Sequence, residues 1–408
     1  MKHFVYWLAA AMVITACHSK KEDEKPLDAE TVLVYIAGDN NLNDFVAGDM
    51  REMIRGSKEL AEGCNLLLFV DRQGKRPYFM KVEQGDTMTI ERESEELRTS
   101  DPATLSMAMK WAMKNYAARS YGLVLWGHAD GWIVKDNTAN SRNRAYGQDT
   151  DGGENLQGTW MNITDMARAL EALPCPEGSE KPLRFIFADC CCFQSVESAY
   201  ELRNCTDYII ASAAEIPGDG APYHTVIPTL FNQRDDFYQE TVNAYYAQQV
   251  DGYKEPLSVV RTSYMEALAQ ATATALQQSL KPLEEGYPDV EGLIYYYSHS
   301  LFDMNDFLLR YASSDAYEQW KRVFDEAVVY KKMAMVWLAN YVSYQDIFTQ
   351  QIFRDFEVTE ERYGGISMFV PQNPDSLLYR YQENARRQNQ HISDMQWYHA
   401  AALDRLGW

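Results

Sequence analysis

Two short motifs carry side chains able to make and break bonds. Gly127-His128-Ala129-Asp130-Gly131-Trp132 directly follows the apolar run 122–126 (GLVLW), and Asp189-Cys190-Cys191-Cys192-Phe193 directly follows 184–188 (RFIFA). A thiol and an imidazole are what nucleophilic attack on a carbonyl requires. The thiolate attacks, and an imidazole within reach takes the proton and returns it to the leaving group. Short, almost wholly apolar runs mark buried strands, and in sheets of such strands the working groups collect at the carboxyl ends. If the two strands are neighbours, His128 and Cys191 leave the same edge. The stretch 194–197 then leads into a helix, and a helix start close to a cysteine favours both a thiolate and a developing oxyanion. On spacing alone, a packed histidine and an inert buried thiol remain the other reading.

The other cysteines narrow the chemistry. Cys64, Cys175, Cys190, Cys192 and Cys205 have no framework spacing. Adjacent residues of an extended chain point to opposite faces, so the triplet 190–192 neither closes easily on itself nor cages one metal, and no metal site or cofactor is expected there. In an oxidising setting the flanking thiols could instead trap Cys191 as a disulfide. Asp149-x-Asp151 with Glu154 has acidic residues in a loop but lacks the full ligand spacing of a calcium site, and reads as a solvated acidic loop.

Several elements must position these motifs. The run 31–37 (TVLVYIA) is a buried strand ending in Gly38-Asp39-Asn40-Asn41, and 44–60 has helical spacing. The run 65–70 (NLLLFV) is the next buried strand, 78–82 and 88–91 form a more polar hairpin, and 102–118 and 163–173 are helical. Near-continuous apolar strands alternating with helices predict a mainly parallel α/β sheet covered on both faces. From 233 onward the texture becomes helical and rich in Tyr, Gln, Ala and Met, with one strand at 365–370 expected to return to the core and a closing helix at 394–406. The expected division is therefore a core over 30–232 and a mostly helical region over 233–408.

The chain has 408 residues, 46% hydrophobic and 24% charged, with a net charge of −21. That composition is globular, and such an acidic balance argues against a sequence-independent grip on nucleic acid or anionic lipid. The amino terminus reads as an export address: Lys2, an apolar run over 4–14, then small residues before Cys17. The run is too short for a comfortable bilayer span. Residues 14–17 (ITAC) resemble the bacterial lipobox, which implies removal of 1–16 and a lipid on Cys17. The polar stretch that follows, within 17–29, reads as a tether and resembles the surface-export tags of bacterial lipoproteins.

His-x-x-Gly-Trp after one strand, Asp-x-Cys ending another, and Ser-Val-Glu-x-Ala-Tyr-Glu-Leu over 195–202 resemble the clostripain family of cysteine peptidases, peptidase family C11. The resemblance extends through 207–212 (DYIIAS), 215–218 (EIPG), Phe302-Asp303 and 364–367 (GGIS). It implies a caspase- and gingipain-like α/β core and cleavage of peptide bonds next to basic residues. In that register Cys191 is the nucleophile and His128 its base, and backbone N–H groups near Ala129 and Cys191 hold the oxyanion. The family usually has glycine where this chain has Ala129, a difference that matters if the turn needs a positive φ. Asp189 and Asp219 fall in regions that line the pocket for the residue before the cut, where a desolvated carboxylate favours Arg or Lys. The loop 135–158 resembles the segment at which relatives process themselves, and offers Lys135, Arg142 and Arg144. The alternative reading is a surface binding lipoprotein that keeps the fold without turnover. Peptides or proteins are the expected partners, and the membrane is met only through the lipid.

Overall fold

The computed structural model describes residues 27–133, 146–151, 153, 158–247, 254–297, 300–335, 337 and 356–408. The signal segment, Cys17, Lys135, Arg142, Arg144 and Glu154 lie outside them.

Five apolar segments form the parallel centre of a nine-stranded sheet: β1 (Asp28–Gly38), β2 (Cys64–Arg72), β5 (Ala118–Trp126), β8 (Leu183–Asp189) and β9 (Thr206–Ser212). Their spatial order is β9-β8-β5-β1-β2. Each is buried on both sides, which is why the sequence shows continuous apolar runs and not alternation. The polar hairpin of β3 (Lys75–Glu83) and β4 (Asp86–Arg92) extends one side antiparallel to β2. On the other side β10 (Leu257–Arg261) and β13 (Val328–Lys332) extend the sheet antiparallel to β9. The region beyond residue 233 thus contributes strands to the main sheet as well as helices.

Side chains alternate between the two faces. Leu33, Tyr35, Leu123, Leu125 and Ile186 pack on one face, where α2 (Pro102–Asn115) and α3 (Ile163–Glu171) contribute Leu105, Met109, Met166 and Leu170. Val32, Val34, Val124, Trp126 and Phe187 pack on the other, where α1 (Asn43–Gly56), α5 (Tyr223–Leu230) and α6 (Phe237–Ala247) contribute Met53, Ile227 and Val242. Alternation of this kind follows from the two-residue period of a strand.

The segment expected to return to the core as a strand over 365–370 does so differently. Ser367–Met368 (β14) belongs to a separate three-stranded sheet with β11 (Tyr295–Tyr297) and β12 (Ser300–Asp303). It reaches the core through an isolated parallel bridge between Ser195 and Ser367, and through Phe369 N–H donating to Glu197 Oε1 at 2.8 Å. The closing helix is shorter than its expected span, Gln396–Ala400 followed by a 3-10 turn at Leu403–Leu406.

Candidate active site

β5 and β8 are parallel neighbours with Trp126 opposite Asp189. The strands end level, so the residues after them emerge side by side. His128, Ala129, Cys191 and Asp189 line one cavity of about 210 Å³, together with Glu215, Ile216, Gly218 and Gly220 from the segment after β9 and Tyr297 from β11.

The backbone at each motif is held from both sides. Gly147 N–H donates to the carbonyl of His128 at 2.9 Å, and Ala129 bridges Tyr146, so a short strand β6 (Tyr146–Asp149) fixes the histidine segment. Ala129 does not occupy the left-handed region; Gly127 and Gly131 carry the positive φ values of this turn instead, at 147° and 71°. The alanine therefore fits without backbone strain. At the other motif, Cys192 N–H donates to Ala214 O and Gln194 N–H to Ser212 O, both at 2.9 Å. Cys192 itself sits at φ 55°, a left-handed conformation unusual for a non-glycine residue and characteristic of functional turns.

His128 Nε2 lies 2.6 Å from Asn41 Oδ1, a partner that the sequence reading did not single out. The Cys191 sulfur accepts from Ile216 N–H at 3.3 Å and donates to Ile216 O at 3.5 Å. Burial pushes its thiol up to about 12, with the Ile216 N–H acting in the opposite direction and Glu215, Asp130 and Asp189 adding to the rise. Near neutral pH the sulfur is a thiol, so attack requires proton removal in the same step. Cys190 and Cys192 are 2% and 0% exposed, which keeps both sulfurs away from solvent-borne oxidants.

The helix beyond the nucleophile does less than its sequence position promised. α4 (Val196–Glu201) is only six residues long, and the Ser195 hydroxyl caps it by accepting from Ser198 N–H at 3.1 Å. The buried carboxyl of Glu197 also occupies its first turn. Little of its dipole is left unopposed for a thiolate at residue 191.

The two aspartates expected to share a pocket are separated. Asp189 is buried, lines the cavity, and uses Oδ2 to accept from Ala221 N–H at 2.9 Å and from the Tyr223 hydroxyl at 2.7 Å. Among the described residues its Oδ1 makes no hydrogen bond of ordinary length; the buried Tyr245 hydroxyl faces the carboxyl and is the nearest donor, acting to lower its pKa. Burial holds the Asp189 carboxyl above its usual range, against the pull of those hydrogen bonds. Gly220 makes the close approach possible: at φ 58°, a Cβ there would come within 2.7 Å of Asp189 Oδ2. Asp219 is placed differently. Gly220 N–H donates to Pro217 O at 2.9 Å, closing a tight turn that leaves residue 219 pointing out. Asp219 is exposed and faces a different depression of about 640 Å³ along α1, beside Asp44, Phe45, Asp49 and Glu52.

The acidic loop has its own partners. Asp149 Oδ2 accepts from Thr99 N–H at 2.6 Å, Oδ1 accepts from Asp151 N–H at 3.0 Å, and Asp151 pairs with Arg98 at 2.7 Å. Among the described residues no group of three or more His, Cys, Asp or Glu is placed to hold a metal ion.

Several known proteins are similar to this chain. A secreted C11 cysteine protease from Bacteroides thetaiotaomicron, solved with an irreversible peptide inhibitor, is 28% identical with a TM-score of 0.73, covering 92% of this chain and 99% of that one. An inactive zymogen C11 protease from Parabacteroides distasonis is 26% identical with a TM-score of 0.70 over the same shares of both chains. Clostripain from Hathewaya histolytica is 22% identical over 245 residues, which is 53% of this chain and 44% of that protein, so the match spans less than half the length of that relative. The model of the clostripain family, peptidase C11, matches residues 34–404, and the chain belongs to this family of cysteine peptidases.

Proposed function

We propose that the protein is an exported, lipid-anchored cysteine endopeptidase that cuts after Arg or Lys and uses Cys191 and His128 as its working pair. The observation that carries the reading is the level ending of β5 and β8, which brings imidazole, thiol and a partly unsatisfied buried carboxyl to one cavity. His128 takes the thiol proton as Cys191 attacks the peptide carbonyl. Backbone N–H groups near Ala129 and Cys191 hold the oxyanion, and the protonated imidazole gives its proton to the leaving amine. Water, activated by the same imidazole, then releases the acyl group, and no cofactor enters these steps. The Arg or Lys preference rests on Asp189, whose desolvated carboxyl meets no cation among the described residues; a guanidinium would supply the charge and further donors.

The thiol engaged by Ile216 suits a resting, uncut chain, and one structural relative was solved as an inactive zymogen. We place self-cleavage in the 135–158 loop. The described segment that precedes this loop lies against the nucleophile segment, since a Cβ at Gly131 would come within 2.6 Å of Cys192 O. Export fits the secreted relative, and Cys17 is the residue to carry the lipid. Incubating the purified protein beside Cys191→Ala tests the core of this reading. Fragments arising within 135–158, and cleavage of a mixed peptide library after Arg and Lys, are expected only with the thiol present. Equal cleavage by both proteins, or a preference for acidic or apolar residues, rejects it.

A further inference from the structure

We infer that Asn41 is a positioning residue for this reaction, its side-chain oxygen holding the His128 ring so that Nδ1 is the atom presented to the Cys191 thiol. The inference rests on the Cys191 and His128 reading above. Asn41 Oδ1 stands 2.6 Å from His128 Nε2. A side-chain carbonyl oxygen only accepts, so in the neutral ring Nε2 carries the hydrogen and Nδ1 the lone pair.

The contact comes from strand order. β1 and β5 are parallel neighbours with Ile36 opposite Trp126, so the turn after β1 and the turn after β5 lie at one end of the sheet. The first of these turns is pinned by buried groups. Asn40 donates through Nδ2 to Ala37 O at 2.9 Å and to Gln148 O at 2.7 Å, while its Oδ1 accepts from Leu42 N–H at 2.8 Å. Thr150 N–H donates to Asp39 O at 2.9 Å. Asn41 therefore extends from a fixed backbone toward a histidine whose own carbonyl is held by Gly147 N–H, with the Trp160 ring 6.2 Å from the imidazole. A third group that orients the base is the arrangement by which nucleophile and base pairs are held ready. When His128 takes the thiol proton, Nε2–H still donates to Asn41, now from a cation, so the contact strengthens as charge develops.

Asn41 is solvent-exposed and its removal leaves the turn's buried hydrogen bonds in place. In Asn41→Ala, kcat on an Arg-containing peptide is expected to fall about tenfold with KM within about twofold, the size of one charge-assisted hydrogen bond near solvent. Alkylation of Cys191 by chloroacetamide should slow by a similar factor, and the acidic limb of the rate–pH profile should move to lower pH. Asn41→Asp keeps an acceptor and adds charge, so it should restore the rate and move that limb to higher pH. If Asn41→Ala matches the parent protein in kcat, alkylation and pH profile while His128→Ala is alkylated slowly, the role of Asn41 is overturned and the Cys191 and His128 pair stands. If His128→Ala is alkylated as fast as the parent, the pair itself fails, and the inference with it.

Discussion

The two ends of β8 treat buried charge in opposite ways. At its start, Arg184 donates through Nη1 to both oxygens of the fully buried Glu30, at 3.1 and 3.0 Å, while Gln233 donates to the same carboxylate at 2.7 Å. Arg184 also donates through Nη2 to Asn232 O at 2.6 Å and stacks over the Phe237 ring at 3.9 Å. At its end, Asp189 is similarly buried, receives a backbone N–H and a hydroxyl, and among the described residues meets no cation. A charge enclosed for stability comes with its counter-charge, because removing either partner strands the other in low dielectric. A carboxyl enclosed without one fits the proposed reading, in which the cation arrives with a ligand. One strand therefore carries a completed ion pair at its amino end and an open one at its carboxyl end.

The comparison can be broken at several places. The largest effect is expected at the carboxyl end: Cys191→Ala or His128→Ala should lower kcat on a basic peptide by about 10⁴-fold or more, with melting temperature little changed. At the amino end the balance reverses. Arg184→Met strands Glu30 and should destabilise the fold by about 3–5 kcal/mol, read as a lower denaturant midpoint, while folded molecules still cut with the parent preference. Asp189→Asn should lower kcat/KM for Arg and Lys peptides by about 100-fold and leave stability equal or slightly higher, since it removes an uncompensated buried carboxyl. Loss of the Arg184 variant's preference, or a collapse of the Asp189 variant's fold, would dissolve the contrast.

A smaller effect depends on pH. Burial raises the Asp189 carboxyl above its usual value in the folded protein. Its contribution to stability is therefore fully present below the ordinary carboxylate value and is lost as pH rises through the raised one. Binding of a cation needs the ionised form, so stabilisation by an arginine-ended peptide, followed as a thermal shift, should grow over that same rise in pH. Asp189→Asn should flatten the trend. The smallest effect is at Asp219, which faces the α1 depression: Asp219→Asn should change kcat/KM by less than about twofold, separating the two aspartates that the sequence placed together.

Much of the architecture was legible because it is written in continuous apolar runs. The runs 31–37, 65–70, 122–126 and 184–188 each became a central strand, and the motifs after the last two came to one edge. The antiparallel strands beyond β9 were not legible in the same way. β13 (VVYKK) is half polar and partly exposed, and β10 (LSVVR) is five residues long, so neither stands out from a region of helical texture. For Asp219 the family resemblance names only the region, and the side of a Pro217-to-Gly220 turn on which residue 219 projects depends on backbone geometry. Asn41 was hidden because an Asn-Asn pair after a strand reads simply as a turn. Only the adjacency of β1 and β5 makes its reach to His128 visible, and adjacency is a property of the sheet.

The central claim concerns one sulfur and one ring. The direct measurement is labelling of the intact protein under reducing conditions with a peptidyl electrophile ending in arginine, with the modified residue mapped by mass spectrometry in the parent and in His128→Ala. A single adduct on Cys191, formed at least about 100-fold more slowly without the imidazole, is the predicted result. Adducts on Cys64 or Cys175, or equal labelling rates with and without His128, would contradict the account.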